Sequence, residues 1–429
     1  MPPSKIILDT DPVHVLQGVD DVLALLLALS ATPSELELLL VSLTFGNIDV
    51  RSCLRNAVTT FHVIEREMAW RRERGLKEGF ETLRACKPVL AVGADRTLDE
   101  RTLFADYFRG FYFLFIFTGD VHPHLLPTHP YEALFDAASH AGLAELEEAA
   151  KHHSSFSASK MPAHQEILRV LRENEVDSVT IVAVGPLTNL ALAAAEDPET
   201  FLRAKEVVVM GGAIDVAGNM SPTAEFNTYA DSYAAARVFA LTSSKPHSTI
   251  PPGPSSTPLP DYPPSLSRQL KLRLAPLDIT HQHNITRGQY KARAEQVLAS
   301  GSPVGEFVSA LLAHTFAKLD SLHLNHEGDK AELSLHDPVC VWYVLTGGEG
   351  WEVQRRDVRV ETRGQWTRGM CVVDRRNRRK NEDEGHEVNG DDVERWLTRN
   401  GGNNVDVLVK SPGGDKLGPY MLDRIFGNM

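Results

Sequence analysis

The stretch KIILDTDPVHVLQGVDD, residues 5–21, decides how the chain is read. An aliphatic run, Ile6-Ile7-Leu8, leads straight into Asp9 and Asp11, and Asp20 and Asp21 follow after a spacer. A short apolar run without polar alternation suits a strand buried on both faces, with the acids just beyond its carboxyl end. Taken alone, such a DxD is more often a helix cap or a turn than a metal site, because Asp favours both positions.

Similar runs recur at 36–47 (LELLLVSLTFGN), 87–95 (KPVLAVGAD), 178–186 (SVTIVAVGP) and 206–212 (EVVVMGG). Between them, residues 20–31, 164–174, 189–198 and 231–242 carry apolar side chains at helical spacing. The alternation predicts an α/β fold: a mostly parallel, doubly wound sheet with helices on both faces. A single domain is expected over 1–429, with insertions or loops at 111–160, 243–264 and 374–391. The segment PLDIT (276–280) reads as strand-like.

Composition narrows the function classes. At 429 residues and 42% hydrophobic, the chain can bury a large core. Its 57 acids against 44 bases give a formal charge of -13, which repels phosphate backbones and anionic lipid, so neither a nucleic-acid polymer nor a membrane is expected as partner. Cys53, Cys86, Cys340 and Cys371 lack CxxC spacing, which argues against a zinc site or a disulfide framework and for a reducing compartment. The N-terminus has no secretory pattern, and the most apolar run, FYFLFIF (111–117), falls far below the roughly 20 residues that span a bilayer. A soluble, cytoplasmic protein is expected. The histidines His122, His124, His152, His153, His281 and His283 show no metal-ligand spacing, although His281 and His283 follow PLDIT closely enough to approach a pocket.

In open α/β sheets, ligands gather beyond the carboxyl ends of the strands. The residues expected there are Asp9, Asp11, Gly46-Asn47, Gly185-Pro186-Leu187-Thr188-Asn189 and Met210-Gly211-Gly212, with Gly218-Asn219 and Glu225-Phe226-Asn227 behind. Carboxylates and amides without a lysine or arginine cluster suit a hard cation and a substrate bearing hydroxyls, not a polyphosphate. Each feature also has an ordinary reading: GPLTN as a turn and helix start, AEFN as surface loop, Asp337 as the residue before a proline turn, His336 as a hydrogen-bonded core histidine.

Their conjunction and order say more. DTDP, GVDD, TFGN, VGPLTNLA, VMGGA with a following GN, AEFN and LHDP, from about Ile6 to Cys340, resemble the inosine-uridine preferring nucleoside hydrolase family. The resemblance implies cleavage of the N-glycosidic bond of ribonucleosides to free base and ribose, with a calcium ion at the strand ends. By motif position the calcium ligands would be Asp11, Asp21, the Thr188 carbonyl and Asp337, with Asp11 also the general base. Ribose hydroxyls would be held by Asp20, Asn47, Asn219, Glu225 and Asn227, and His336 would stand by the departing base. The resemblance also implies a homodimer or homotetramer.

Two departures from the family pattern stand out. Five residues, Val13-His14-Val15-Leu16-Gln17, interrupt the family's continuous DxDPGxDD. Asp11 and Asp21 can share a cation at roughly 2.3–2.6 Å only if this insert bulges out, which loop-closure entropy permits because it rises slowly with length. After ADYF (105–108) the family's His-Gly-x-Asp-Gly loop is missing, and Arg109 stands where its histidine is expected. Two other readings compete. IILDTDPV also resembles the first motif of haloacid dehalogenase-type phosphohydrolases, with Asp9 as nucleophile and Asp11 as acid, but GVDD comes too early for it and VGPLTN, AEFN and LHDP go unexplained. A nucleoside-binding homologue that has lost turnover is the other.

Overall fold

Ile6, Ile7 and Leu8 are fully buried in β1 (Ser4–Thr10), Ile6 and Leu8 in one hydrophobic core and Ile7 in a second. Successive strand side chains point to opposite faces, so three aliphatic residues in a row fill two cores at once. In β5 (Val179–Ala183), Val182 joins the first core while Ile181 and Ala183 join the second. In β6 (Glu206–Met210), Val208 faces the first core and Val207 and Val209 the second. The computed structural model describes residues 2–13, 18–99, 153–254, 258–321, 328–376, 378, 380, 392–398 and 401–427. FYFLFIF, Arg109 and most of 111–160 lie outside them, as does much of 374–391.

The main sheet adds β2 (Leu36–Leu43), β3 (Val89–Val92), β4 (Ser157–Ala158) and β7 (Leu272–Ala275). Two short ribbons pair β8 (Asn284–Thr286) with β9 (Glu332–Ser334), and β11 (Arg359–Val360) with β12 (Cys371–Val372). Completed by β10 (Glu352–Arg356) and β13 (Val405–Lys410), the nine-stranded sheet runs β10-β13-β7-β6-β5-β1-β2-β3-β4. Every neighbouring pair is parallel except β10 with β13, which bears out the mostly parallel, doubly wound α/β expectation. The chain winds outward from β1 to β4, then returns to lay β5 on the other side of β1. That reversal opens a crevice at the carboxyl ends of β1 and β5, the place where such sheets bind ligands.

Sequence and structure part at PLDIT. Leu272–Ala275 is the strand, and Leu277–Thr280 is a short helix entered through Pro276. Short apolar runs do not reveal their period, and a proline at a helix entrance is well tolerated. Among the described part of 111–160, Ser157–Ala158 forms the sheet's edge strand against β3. No helix among the described residues is long and apolar enough to cross a membrane. All four cysteines are free.

A bulge sets what stands beside Asp9. Ile6 pairs with Leu38 but Ile7 with Leu40, so β2 gains one residue and Ser42 lies opposite Asp9. The Ser42 hydroxyl donates to Asp9 Oδ1, as does Asn189 Nδ2 at 2.8 Å. Asn189 Nδ2 also reaches the Leu43 carbonyl at 3.0 Å, and its Oδ1 accepts the Ala94 N–H at 2.8 Å. One buried amide thus joins the ends of β1 and β2 to the residues after β3. Asn189→Ala would leave the Ala94 N–H and the Asp9 carboxylate short of partners, and the expected cost is about 1–3 kcal/mol of unfolding free energy, measured by urea denaturation.

Candidate active site

The interrupted aspartate loop closes. Val13 N–H donates to the Gly18 carbonyl at 3.4 Å, so the chain leaves at Val13 and is back at Gly18, with residues 14–17 outside the described set. Gly18 has φ +96°, and a Cβ there would lie 2.7 Å from Asn47 Nδ2 and 3.1 Å from Val13 Cγ2. Glycine is required by both the left-handed backbone and the crowding. From Gly18 the fully buried helix Val19–Leu29 starts, carrying Asp20 and Asp21 in its first turn. A second helix, His336–Leu345, places Asp337 in its own first turn. Two positive helix ends therefore meet the acids, the arrangement favoured by the helix dipole.

Asp20, Asp21 and Asp337 each bring a carboxylate oxygen within 4.8 Å of the others. Asp11 joins them through its backbone, whose N–H donates to Asp21 Oδ1 at 3.0 Å, while Thr10 Oγ1 donates to the same oxygen at 2.5 Å. Asn47 binds both halves of the loop: its N–H donates to Asp11 Oδ2 at 2.6 Å and its Nδ2 to Asp21 Oδ2 at 3.2 Å. Asp20 accepts the backbone N–H groups of His336 and Asp337. Asp11 Oδ1 is buried with no hydrogen-bond partner among the described residues. The space around Asp11 is kept by two glycines, because a Cβ on Gly46 would fall 2.1 Å from Asp11 Oδ2 and one on Gly185 2.6 Å from Asp11 Oδ1.

Among the described residues, the acids of this cluster have no counter-charge. Burial, then repulsion from Asp21, raises Asp11 well above the ordinary carboxylate range. Burial and then Asp20 push Asp21 up to about 7, and burial brings Asp20 to about 6. Asp337 is raised well above its usual value by burial and then by Asp20. Asp9, behind them, is pushed up to about 7 by burial. Among the described residues no salt bridge reaches Asp11, Asp20, Asp21 or Asp337. An oxygen-only donor set, with one buried oxygen unpartnered, fits a hard cation such as calcium; oxygens sharing one such ion stand at most about 5 Å apart.

The remaining expected residues lie at different depths in the structure. Thr188 opens the helix Thr188–Glu196, but its hydroxyl turns to Asp231 Oδ2 at 2.7 Å, leaving the carbonyl as the group it could offer. Asn227 Nδ2 bridges the carbonyls of Val184 and Met210 at 2.8 and 3.3 Å, just at the ends of β5 and β6. Glu225 caps the next helix: Oε1 accepts the Asn227 N–H at 2.6 Å, and Oε2 accepts Gly212 and Thr228 N–H at 2.8 and 3.0 Å. Asn219 is exposed and its Oδ1 accepts the Phe226 N–H at 2.8 Å. His336 Nδ1 pairs with Thr280 Oγ1 at 2.8 Å, its ring edge-on to His281 at 5.4 Å; burial and then His281 hold it down at about 3, hence neutral.

Thr10, Ser42, Asp231 and Thr280 hold these groups in place, and sequence reading missed them as partners. Hydroxyls and acids inside strand ends and helix starts carry no spacing signal until the sheet order is known.

A profile of the inosine-uridine preferring nucleoside hydrolase family matches residues 6–407. The chain belongs to this family. Its relatives include an uncharacterized protein of Schizosaccharomyces pombe, 30% identical over 86% of this chain and 89% of that one. The pyrimidine-specific ribonucleoside hydrolase RihA of Klebsiella pneumoniae is also 30% identical, over 86% of this chain and 88% of its own. A purine-preferring ribonucleoside hydrolase from Gardnerella vaginalis shares the fold at a TM-score of 0.60 and 20% identity, covering 99% of this chain and 98% of that one. A plant nucleoside hydrolase superimposes with the same TM-score at 21% identity, over the whole of both chains. As a nucleoside hydrolase, the chain is an N-glycosyl hydrolase.

Two measurements test the cluster. Because these carboxylates have folded pKa values above the unfolded value of about 3.9, the folded state holds extra protons near pH 5. That stabilisation is fully present below about pH 4 and is lost as pH rises through 6 and 7. In a chelator the thermal midpoint should therefore fall between pH 5 and pH 8, and millimolar calcium should reverse most of that fall. Gly46→Ala should displace Asp11 and weaken calcium-dependent stabilisation at least about tenfold in apparent affinity, as a shift in ligand support does, with the far-ultraviolet circular dichroism unchanged.

Proposed function

We propose that this chain hydrolyses the N-glycosidic bond of ribonucleosides with a calcium ion held by Asp11, Asp21, Asp337 and the Thr188 carbonyl. The observation that carries the reading is the convergence of the Asp20, Asp21 and Asp337 carboxylates at the sheet's reversal point, with the Asp11 N–H bonded to Asp21 and Asp11 Oδ1 unpartnered among the described residues. When bound, calcium would orient water and sugar oxygens and make the water more acidic.

Water adds to the anomeric carbon as the bond to the base nitrogen breaks, through an oxocarbenium-like state whose positive charge the surrounding carboxylates favour. The proton lost by water passes to Asp11 Oδ1, since Oδ2 is already fixed by the Asn47 N–H. Asp20 and Asn47 hold sugar hydroxyls close to Asp11. Glu225, Asn219 and Asn227 would offer further hydroxyl contacts, with Asn227 held at the ends of β5 and β6 by its bonds to the Val184 and Met210 carbonyls. The electron pair of the broken bond goes to the base, which takes a hydrogen bond from His336 and its proton from solvent. A Thr280 hydroxyl donating to Nδ1 would leave the His336 proton on Nε2, available as a neutral donor.

The competing binding-only reading loses support from the closure of the loop at Val13 and Gly18, which returns Asp20 and Asp21 to Asp11. Ribose release from inosine and uridine, assayed with calcium and with chelator, decides. Asp11→Ala should lower kcat by at least about a thousandfold while leaving the fold intact, in line with loss of a general base and a cation ligand together. His336→Ala should lower kcat by roughly a hundredfold with little change in KM. Riboside binding without any ribose release by the calcium-loaded chain would sink the proposal.

A further inference from the structure

On the helix Val50–Glu73, His62 and Glu65 stand at i and i+3, so their side chains leave the same face. His153 meets that face just ahead of edge strand β4, and one ligand-type atom from each of the three lies within 4.8 Å of the other two. The cluster shares no residue with the carboxylate site.

His153 is built into this position. Its side chain is only 10% exposed, and its ring stacks on Phe156 with centroids 4.4 Å apart. Nε2 is buried and has no hydrogen-bond partner among the described residues. Nδ1 accepts the Ser155 N–H at 3.2 Å and lies 3.5 Å from Glu65 Oε1. The hydroxyls of Ser154 and Ser155 both donate to Glu65 Oε1 and orient the carboxylate, as outer partners of metal ligands do.

We propose that His62, Glu65 and His153 bind a divalent transition metal of the zinc class. Two imidazoles and a carboxylate form a donor set that zinc accepts and calcium, which takes oxygen ligands, does not prefer. His153 Nδ1 lies 3.5 Å from Glu65 Oε1, and a metal bound through Nδ1 would displace the Ser155 N–H from that nitrogen. His62 is the most exposed of the three. Such an ion would pin the approach to β4, the sheet's edge, to the helix that follows the Asn47 loop. Sequence spacing hides the site because His153 comes from a distant segment.

The test uses the full chain in excess calcium, titrated with Zn2+ by calorimetry and with Co2+ by visible absorption. The expected result is one equivalent of Zn2+ and a four-coordinate Co2+ spectrum that Zn2+ abolishes. His62→Ala and Glu65→Gln should each weaken Zn2+ binding by at least about tenfold, and Asp11→Ala should leave it unchanged. The proposal is overturned if no stoichiometric Zn2+ binds, if Asp11→Ala abolishes binding, or if neither His62→Ala nor Glu65→Gln alters it. His62 and Glu65 lie on a helix face with access to solvent, so both variants keep the fold available for the measurement.

Discussion

Four carboxylates gathered in one buried place repel one another, and the architecture around them is arranged to tolerate that repulsion. Two like charges about 4 Å apart cost roughly 4 kcal/mol at an effective protein dielectric near 20, so such a cluster does not form by default. Here it is held by geometry imposed from outside. Two helices aim their positive ends at it, the Asn47 amide binds two of its members, and Asp20 is tied to the start of the opposite helix. Protons or a cation then complete the balance.

The sheet supplies the place where such a cluster can exist. Only at the reversal beside β1 do loops diverge to opposite faces and leave an opening above the strand ends. The bulge in β2 sets Ser42 against Asp9, and Asn189 ties that pair to the end of β3. Asp9 thereby becomes part of the support under Asp11, distinct from the carboxylates that face one another above it. Gly46 and Gly185 act by what they lack, since a single added carbon at either would occupy space that the Asp11 carboxylate fills.

Most of this scaffold was legible in the sequence because it rests on local pattern. Aliphatic runs such as Ile6-Ile7-Leu8 and Val207-Val208-Val209 declare strands buried on both faces, and the order of DTDP, GVDD, TFGN and LHDP pointed to the residues that meet. PLDIT was misread because four or five apolar residues fit either period. The support roles of Asn189 and Asp231 were hidden because they depend on which strands are neighbours. Glu225 was legible as a site residue, whereas its bonds to the Gly212, Asn227 and Thr228 amides appear only once the loop is folded. The five-residue interruption could not be judged from composition, since its tolerance turns on one left-handed glycine and one backbone hydrogen bond.

Asp20 binding the amides of His336 and Asp337 also has a meaning in time. A chain made from its N-terminus presents Asp11, Asp20 and Asp21 long before Asp337 exists. Until that last helix arrives, the early acids lack both their fourth member and the helix end that Asp20 caps. Synthesis of the first strand and helix is therefore separated from maturation of the site by more than three hundred residues of translation, roughly 15–60 s at about 5–20 residues per second. During that interval the acids remain open to water, and a nascent chain carries the scaffold of the site without its function.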